Sequence, residues 1–309
     1  MRVAVTGAGG RLGSALVAAL ADAPFTGPAG PIAWDRAAFD LDAPDSIGAR
    51  LDRDRPEVVV HAAAWTDVDG CARDPELALA RNGHATGVLA QACAERGLDL
   101  AIVSTNEVFD GSLPAGLAYA PDDAPNPINP YGVSKLAGEQ AARAAYDEGA
   151  GGGGRPGRSG QLGIVRTAWL FGSPASDFPG RILAAATRAR ESGQPLRVVA
   201  DEWGTPTYTH DLAEGIVDLL AEDAVAGTHH IVNGGVASRA DWARDVFARA
   251  GLTVETLDVS SAEWPRPSTP PARAILAATP MPFGAPLRSW QAAMADYAPT
   301  LLRAWKRSA

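Results

Sequence analysis

The amino-acid sequence predicts an α/β fold, a doubly wound parallel sheet with a smaller C-terminal α/β domain. Three observations carry that expectation. A β-branched run, Arg2-Val3-Ala4-Val5-Thr6, leads through a glycine turn, Gly7-Ala8-Gly9-Gly10-Arg11-Leu12-Gly13, into an alanine-rich helical stretch from Ser14 to Leu20. Apolar runs of strand length then alternate with helical patterns as far as Phe171, the order that builds a parallel sheet covered by helices on both faces. Beyond Phe171 the alternation loosens. Residues 1–171 plus about 205–234 therefore read as a nucleotide-binding domain, and about 172–204 plus 235–309 as a second, smaller one.

The first element sets the chemistry. In a strand, glycine turn and helix of Rossmann type, Gly7, Gly10 and Gly13 let the backbone turn tightly and approach a pyrophosphate seated on the helix N-terminus. A second strand over Pro31 to Trp34 ends in Asp35-Arg36. Asp35 stands where a carboxylate bonds the adenine ribose, and Arg36 where a cation holds a 2'-phosphate, so both NADH and NADPH stay open. Asp40-Leu41-Asp42 follows at the adenine side, then a helix over about 44–52.

The run Val58-Val59-Val60-His61-Ala62-Ala63-Ala64 reads as a buried parallel strand whose small terminal residues let the chain pass close to a cofactor, with Trp65, Thr66 and Asp67 in the loop beyond it. A helix is expected over about 75–96, with Asn82 and His84 as packing or solvent-facing residues. The strand over Leu100 to Thr105 delivers Thr105, and after it Asn106 and Glu107, to the same carboxyl edge of the sheet. A Pro- and Asp-rich loop then reaches Asn129-Pro130-Tyr131-Gly132-Val133-Ser134-Lys135, where proline starts a helix. Tyr131 and Lys135, four apart, share a helix face, and a cation beside a phenol is expected to bring its pKa down toward the working pH. That makes a general acid/base.

The glycine-dense stretch 149–160 is expected to be a flexible surface loop. The sheet resumes over 162–171, with Arg166 and Trp169 at its end; Trp169 either walls a sugar ring or packs in the core. Further helices are expected over 177–189, 210–220, 238–250 and from about 289, with strands over 196–199 and 228–233 and a polar turn over 201–208.

Composition narrows the partners. Net charge is -9 over 309 residues, which disfavours nucleic acid and requires any anionic substrate to meet a local basic or dipolar pocket. Cys71 and Cys93 are too few for a disulfide framework and lack metal-ligand spacing, as in a reducing cytoplasm. No apolar run reaches membrane-spanning length, and the N-terminus enters a strand directly, so a cytoplasmic protein without a membrane partner is expected.

Taken in order, these stretches resemble the extended short-chain dehydrogenase/reductase family and, within it, the dTDP-4-dehydrorhamnose reductases. The resemblance rests on the glycine turn, Ala62-Ala63-Ala64 with Thr66 to Asp69, Ser104-Thr105 with Val108 to Gly111, and Tyr131 with Lys135. It continues through Arg166 to Trp169, Asp201 with Gly204 to Tyr208, Arg266-Pro267 and Pro286 to Trp290. It implies hydride transfer from NADPH or NADH to the C4 ketone of a nucleotide-linked deoxysugar, dTDP-4-dehydro-L-rhamnose going to dTDP-L-rhamnose. Tyr131 would donate the proton, Lys135 orient the nicotinamide ribose, Thr105 hold the C4 oxygen and Trp169 contact the sugar. Gly7, Gly10, Arg11, Leu12 and Gly13 would hold the phosphates, Asp35 or Arg36 the ribose, Asp40 and Leu41 the adenine, and Ala63, Ala64 and Thr66 the nicotinamide side.

One departure stands at the centre. Those reductases read Ser-Thr-Asp-Tyr-Val-Phe where this chain has Ser104-Thr105-Asn106-Glu107-Val108-Phe109, which puts Asn106 and Glu107 among the substrate-binding candidates. Dehydratases of the same family carry Thr-Asp-Glu there, so Glu107 half-matches water elimination while Asn106 cannot be its acid. Another nucleotide-sugar 4-ketoreductase, a 4,6-dehydratase or epimerase, and a non-catalytic NADP-binding regulatory subunit are the alternatives. Some relatives place Mg2+ between subunits, which admits a homodimer; no carboxylate cluster in this sequence has ligand spacing.

Overall fold

The structure, a computed structural model, describes residues 1–149, 160–282 and 286–308. The loop expected at 149–160 lies, apart from its two end residues, outside the described residues. In chain order the first half comprises β1 (Val3–Thr6), α1 (Arg11–Asp22), β2 (Ile32–Trp34), α2 (Ile47–Asp54), β3 (Val58–His61), α3 (Val68–Arg73), α4 (Pro75–Ala78), α5 (Ala85–Ala94), β4 (Asp99–Thr105) and α6 (Pro130–Gly149). The second comprises β5 (Leu162–Thr167), β6 (Leu170–Phe171), α7 (Phe178–Ser192), β7 (Leu196–Val199), β8 (Trp203–Gly204), β9 (Thr207–Tyr208), α8 (Thr209–Ala221), β10 (Gly227–His230), β11 (Ala237–Ser238), α9 (Arg239–Ala250), β12 (Thr256–Val259) and α10 (Trp290–Ser308).

Six strands form one parallel sheet in the order β10-β5-β4-β3-β1-β2. The order reverses at β1, and such a switch opens a crevice at the carboxyl ends of the strands. Continuous apolar strands follow from burial on both faces. Val3, Val5, Val58 and Val60 pack with Leu16 and Leu20 of α1 and Leu212 and Ile216 of α8. Their neighbours Ala4 and Val59 point the other way, joining Leu89 of α5, Ala142 of α6, Leu100 and Ile164. A separate core gathers Phe171 of β6 with Leu183, Trp242, Val246, Trp290, Met294, Tyr297 and Leu301 of α7, α9 and α10. No helix among the described residues is long and apolar enough to cross a membrane.

Two expected elements are broken. The helix foreseen over 75–96 is interrupted by a wide, π-type turn at Leu79–His84. There the Asn82 carboxamide leaves the helix face to accept from Trp65 N–H at 2.8 Å and donate to Trp65 O and Ser134 Oγ, each at 3.0 Å. The strand foreseen over 162–171 divides at Trp169, whose φ of 44° lies in the left-handed region. β6 therefore leaves the main sheet and pairs with β9.

Arg166 stands near the strand end but turns into the core. Its Nε and Nη2 meet the Glu139 carboxylate at 3.0 and 2.7 Å, Ser104 Oγ donates to the same carboxylate, and Nη1 donates to Pro121 O at 3.3 Å. Both side chains are almost fully buried.

Candidate active site

The site assembles where β4 ends and α6 begins. Asn129 caps α6: its Oδ1 accepts from Gly132 N–H at 2.8 Å. Because that oxygen is engaged, Nδ2 is the donor that meets Glu107 Oε2 at 2.7 Å and Thr269 O at 3.2 Å. A Cβ at Gly132 would collide with the Glu107 carbonyl oxygen, so glycine is what lets the turn after β4 lie on the first turn of α6. Thr105 Oγ1 accepts from Glu107 N–H at 3.2 Å, and Asn106 Nδ2 is turned away to Ala274 O at 3.0 Å.

Tyr131 is buried against Cys71 and Ala78, with Trp65 and Val68 beside it. Lys135 is also buried, and its Nζ donates to Val103 O at 2.8 Å. Thr105, Tyr131 and Lys135 are thus brought to one end of the sheet, but the expected depression of the phenol by the ammonium is overturned. Burial first, and then the nearby Glu107 carboxylate, hold Tyr131 above its ordinary value, with hydrogen bonding to Thr105 opposing them. Lys135 directs its Nζ to a β4 carbonyl. Burial pulls Lys135 down to about 8, against the pull of Glu139.

Across the switch point, Gly7 has φ of 66° and a Cβ there would stand 2.9 Å from the Ala63 backbone; one at Gly13 would collide with the Gly7 carbonyl. Gly10 caps α1 with no side-chain hydrogen bond, so the first N–H groups of α1 face the crevice. The Leu12 side chain belongs to the core. Arg11 donates to Gly172 O, Pro174 O and Ser176 Oγ at 3.0 to 3.3 Å, so these two residues offer the turn their backbone. This cradle fits a dinucleotide pyrophosphate. Asp35 is exposed and accepts from Ala38 N–H at 3.0 Å. Arg36, 76% exposed, reaches Asp42 at 3.1 Å and Asp40 at 3.7 Å. Leu41 packs on the edge of the core, and Ala64 is half-buried beside the exposed Thr66.

Trp169 is half-buried and fixed on several sides. The Arg239 guanidinium lies 3.5 Å from its ring centroid, Trp242 stacks at 5.8 Å, and Gly204 leaves room for the ring, which a Cβ would strike. Arg239 also faces Glu202 at 3.5 Å, and Arg266 meets Asp69 at 2.9 Å. Burial pulls Arg239 down to about 10, with Glu202 and Glu107 opposing. Asp201 has a structural task, accepting from Ser260 Oγ and Ser261 N–H at 2.8 Å each. Sequence reasoning missed Asn129 and Arg239. An asparagine before a helix-starting proline was a readable cap signal; nothing local marks Arg239. Among the described residues, no group of three or more His, Cys, Asp or Glu is placed to hold a metal ion.

Comparison with known proteins agrees with this geometry. The RmlD substrate binding domain family matches residues 1–302. A dTDP-4-dehydrorhamnose reductase from Mycobacterium tuberculosis is 36% identical over 301 residues, covering 95% of this chain and 91% of the relative. A dTDP-4-keto-6-deoxy-D-glucose reductase from Streptomyces niveus is 37% identical over 250 residues, covering 80% and 78%. The crystal structure of dTDP-4-dehydrorhamnose reductase from Bacillus anthracis in complex with NADP superposes with a TM-score of 0.82 at 28% identity, covering 97% of this chain and 99% of that one. The chain belongs to the RmlD substrate binding domain family, on the dTDP-4-dehydrorhamnose reductase branch of the extended short-chain dehydrogenase/reductases.

Proposed function

We propose that this protein reduces the C4 ketone of a nucleotide-linked deoxysugar, dTDP-4-dehydro-L-rhamnose to dTDP-L-rhamnose, and that Tyr131 donates the proton. The observation that carries the reading is a buried phenol, Tyr131, gathered with Thr105 and Lys135 where β4 ends and α6 begins, across the switch point from an uncapped glycine turn. The name and NADP complex of the Bacillus anthracis relative support the same assignment.

NADPH or NADH supplies the hydride when bound. The backbone of Gly10, Arg11 and Leu12 holds the pyrophosphate, Asp40 and Leu41 the adenine side, and Ala63, Ala64 and Thr66 the nicotinamide side. Lys135 holds the ribose hydroxyls. Thr105 positions the ketone oxygen, Tyr131 gives it a proton as negative charge develops there, and Trp169 walls the sugar. The dehydratase reading lacks its acid, since position 106 holds an asparagine, whose amide gives up no proton and is turned to Ala274 O. The protein works in the cytoplasm, and a homodimer is checked by its mass in solution.

The test is NADPH consumption with dTDP-4-dehydro-L-rhamnose generated in place. Turnover supports the reading; NADPH binding without turnover on this or any other 4-keto sugar nucleotide sinks it. NADH assayed in parallel reports cofactor choice. Arg36, whose ion-pair partners among the described residues are the solvent-accessible carboxylates of Asp40 and Asp42, can swing to a 2'-phosphate. Arg36→Ala is expected to weaken NADPH by about tenfold, a loss of about 1.4 kcal/mol, and to spare NADH; equal losses for both would rule out a 2'-phosphate contact.

A further inference from the structure

We propose that His61 is a positioning residue for hydride transfer: its imidazole, with the proton on Nε2, ties the nicotinamide-side segment 63–65 to the turn that grips the helix carrying Tyr131. The proposal rests on the reductase reading and deepens it, because it names what keeps the hydride donor's side of the site in register with the proton donor's.

Thr6 ends β1 and His61 ends β3, side by side in register. Ala63 N–H donates to Thr6 Oγ1 at 3.1 Å, and that oxygen lies 2.8 Å from His61 Nδ1. On the other side of the ring, His61 Nε2 lies 3.2 Å from Thr86 Oγ1, which donates to Asn82 O at 2.8 Å. The Asn82 carboxamide grips the far end of the same segment through Trp65 N–H and Trp65 O. It also donates to Ser134 Oγ, which in turn donates to Tyr131 O at 2.8 Å. Thr6, His61, Asn82, Thr86 and Ser134 are all buried, and Phe39 meets the imidazole edge-on with 5.5 Å between ring centroids. The segment is thus held at Ala63 from the side of His61 and at Trp65 by Asn82, and the two holds are joined through Thr86.

Counting protons fixes the tautomer. Thr86 has one hydroxyl proton and Asn82 O takes it, so the bond between Thr86 and His61 needs a proton on Nε2. Nδ1 is then the acceptor, and Thr6, whose oxygen already accepts from Ala63, gives it its hydroxyl proton. The opposite tautomer would leave the Thr86 and Asn82 oxygens 2.8 Å apart with no proton between them. Burial, and after it the Lys135 charge, pulls His61 down to about 3, in keeping with a neutral ring. His61 therefore holds backbone and moves no proton. The backbone it holds is the one that a Cβ at Gly7 would meet at 2.9 Å, so a shift at Ala63 is felt by the glycine turn as well. Hydride transfer tolerates little displacement, since a misplacement of about 1 Å can cost about a hundredfold in rate.

The experiment uses the NADPH-bound protein. Hydrogen exchange of the Ala63 amide, read against the amides of β3, and the emission of the bound nicotinamide report the tie without sugar. The single-turnover rate of NADPH oxidation with dTDP-4-dehydro-L-rhamnose reports the reaction. His61→Leu is expected to speed Ala63 exchange, shift the nicotinamide emission and slow hydride transfer by about tenfold, with a smaller loss of NADPH affinity. His61→Asn, which keeps an acceptor where Nδ1 stood, should return most of the Ala63 protection and part of the rate. Leu89→Ala, a cut into the core beside Phe39 and outside the tie, should lose stability in denaturant and leave the rate alone. An Ala63 amide that exchanges no faster in His61→Leu, or a rate that falls equally in Leu89→Ala, overturns the proposal. Should His61→Leu fail to fold, Thr86→Val cuts the chain on the far side of the ring, and a hydride-transfer rate unmoved there overturns it too. A protein that reduces no 4-keto sugar nucleotide refutes the reductase reading, and Ala63 exchange with the nicotinamide emission then decides for or against the tie.

Discussion

Tyr131→Phe is expected to lose about 10²- to 10⁴-fold in turnover, the usual worth of a positioned general acid, while NADPH still binds. The substitution deletes one hydroxyl and keeps the ring, whose neighbours Cys71, Ala78, Trp65 and Val68 hold it through apolar contact. The lost group is the one that meets Thr105 and that burial and Glu107 hold protonated. Lys135 directs its Nζ to Val103 O, and the Asn106 amide, turned to Ala274 O, is not an acid. Steady-state NADPH consumption measures the loss, and cofactor fluorescence measures the retained binding. A variant with turnover close to the parent's would remove Tyr131 from the chemistry, and an indifferent protein that still binds cofactor would favour the regulatory alternative.

The largest loss of stability is expected at Glu139 and Arg166. Each is the other's partner in an almost fully buried, two-bond ion pair joining α6 to β5, with Ser104 completing the carboxylate. Arg166→Ala leaves Glu139 buried without its cation, which costs about 3–5 kcal/mol, whereas exchanging both members for apolar residues of similar volume costs far less. Denaturant unfolding of Arg166→Ala, Glu139→Gln and the Glu139→Leu/Arg166→Met double variant reads the difference. If Arg166→Ala were no worse than the double variant, the pair would not be a buried ionic unit. The effect also reaches the site, because Glu139 holds the Lys135 pKa up against burial. Loss of Glu139 should therefore make Lys135 easier to deprotonate.

Much of the scaffold was legible because its signals are local. The valines of β3 face both cores, so no alternation was needed to recognise them, and Gly7 and Gly13 stand where a side chain would strike backbone. The shared face of Tyr131 and Lys135 follows from helical spacing alone. What spacing could not give is where each polar group turns. Lys135 reaches a carbonyl of β4, Arg166 turns inward to Glu139, and Asn82 opens a helix to hold Trp65. Each depends on a partner far along the chain. The same holds for Trp169, which packs on Trp242 and is half-buried, braced by a cation from α9. That bracing became visible only once the second core had assembled.

The cap of α6 has a consequence for how the protein ages. Asparagine side chains deamidate when the backbone nitrogen of the next residue attacks them, which requires an N–H at that nitrogen, and Asn129 is followed by Pro130, which has none. Asn82 and Asn233, by contrast, precede glycines. Conversion of Asn129 to aspartate would replace the donor facing Glu107 by a second carboxylate and set two negative charges 2.7 Å apart. The proline that starts the helix also closes that route of chemical damage at the residue where the helix of Tyr131, the Glu107 carboxylate and the Thr269 carbonyl meet.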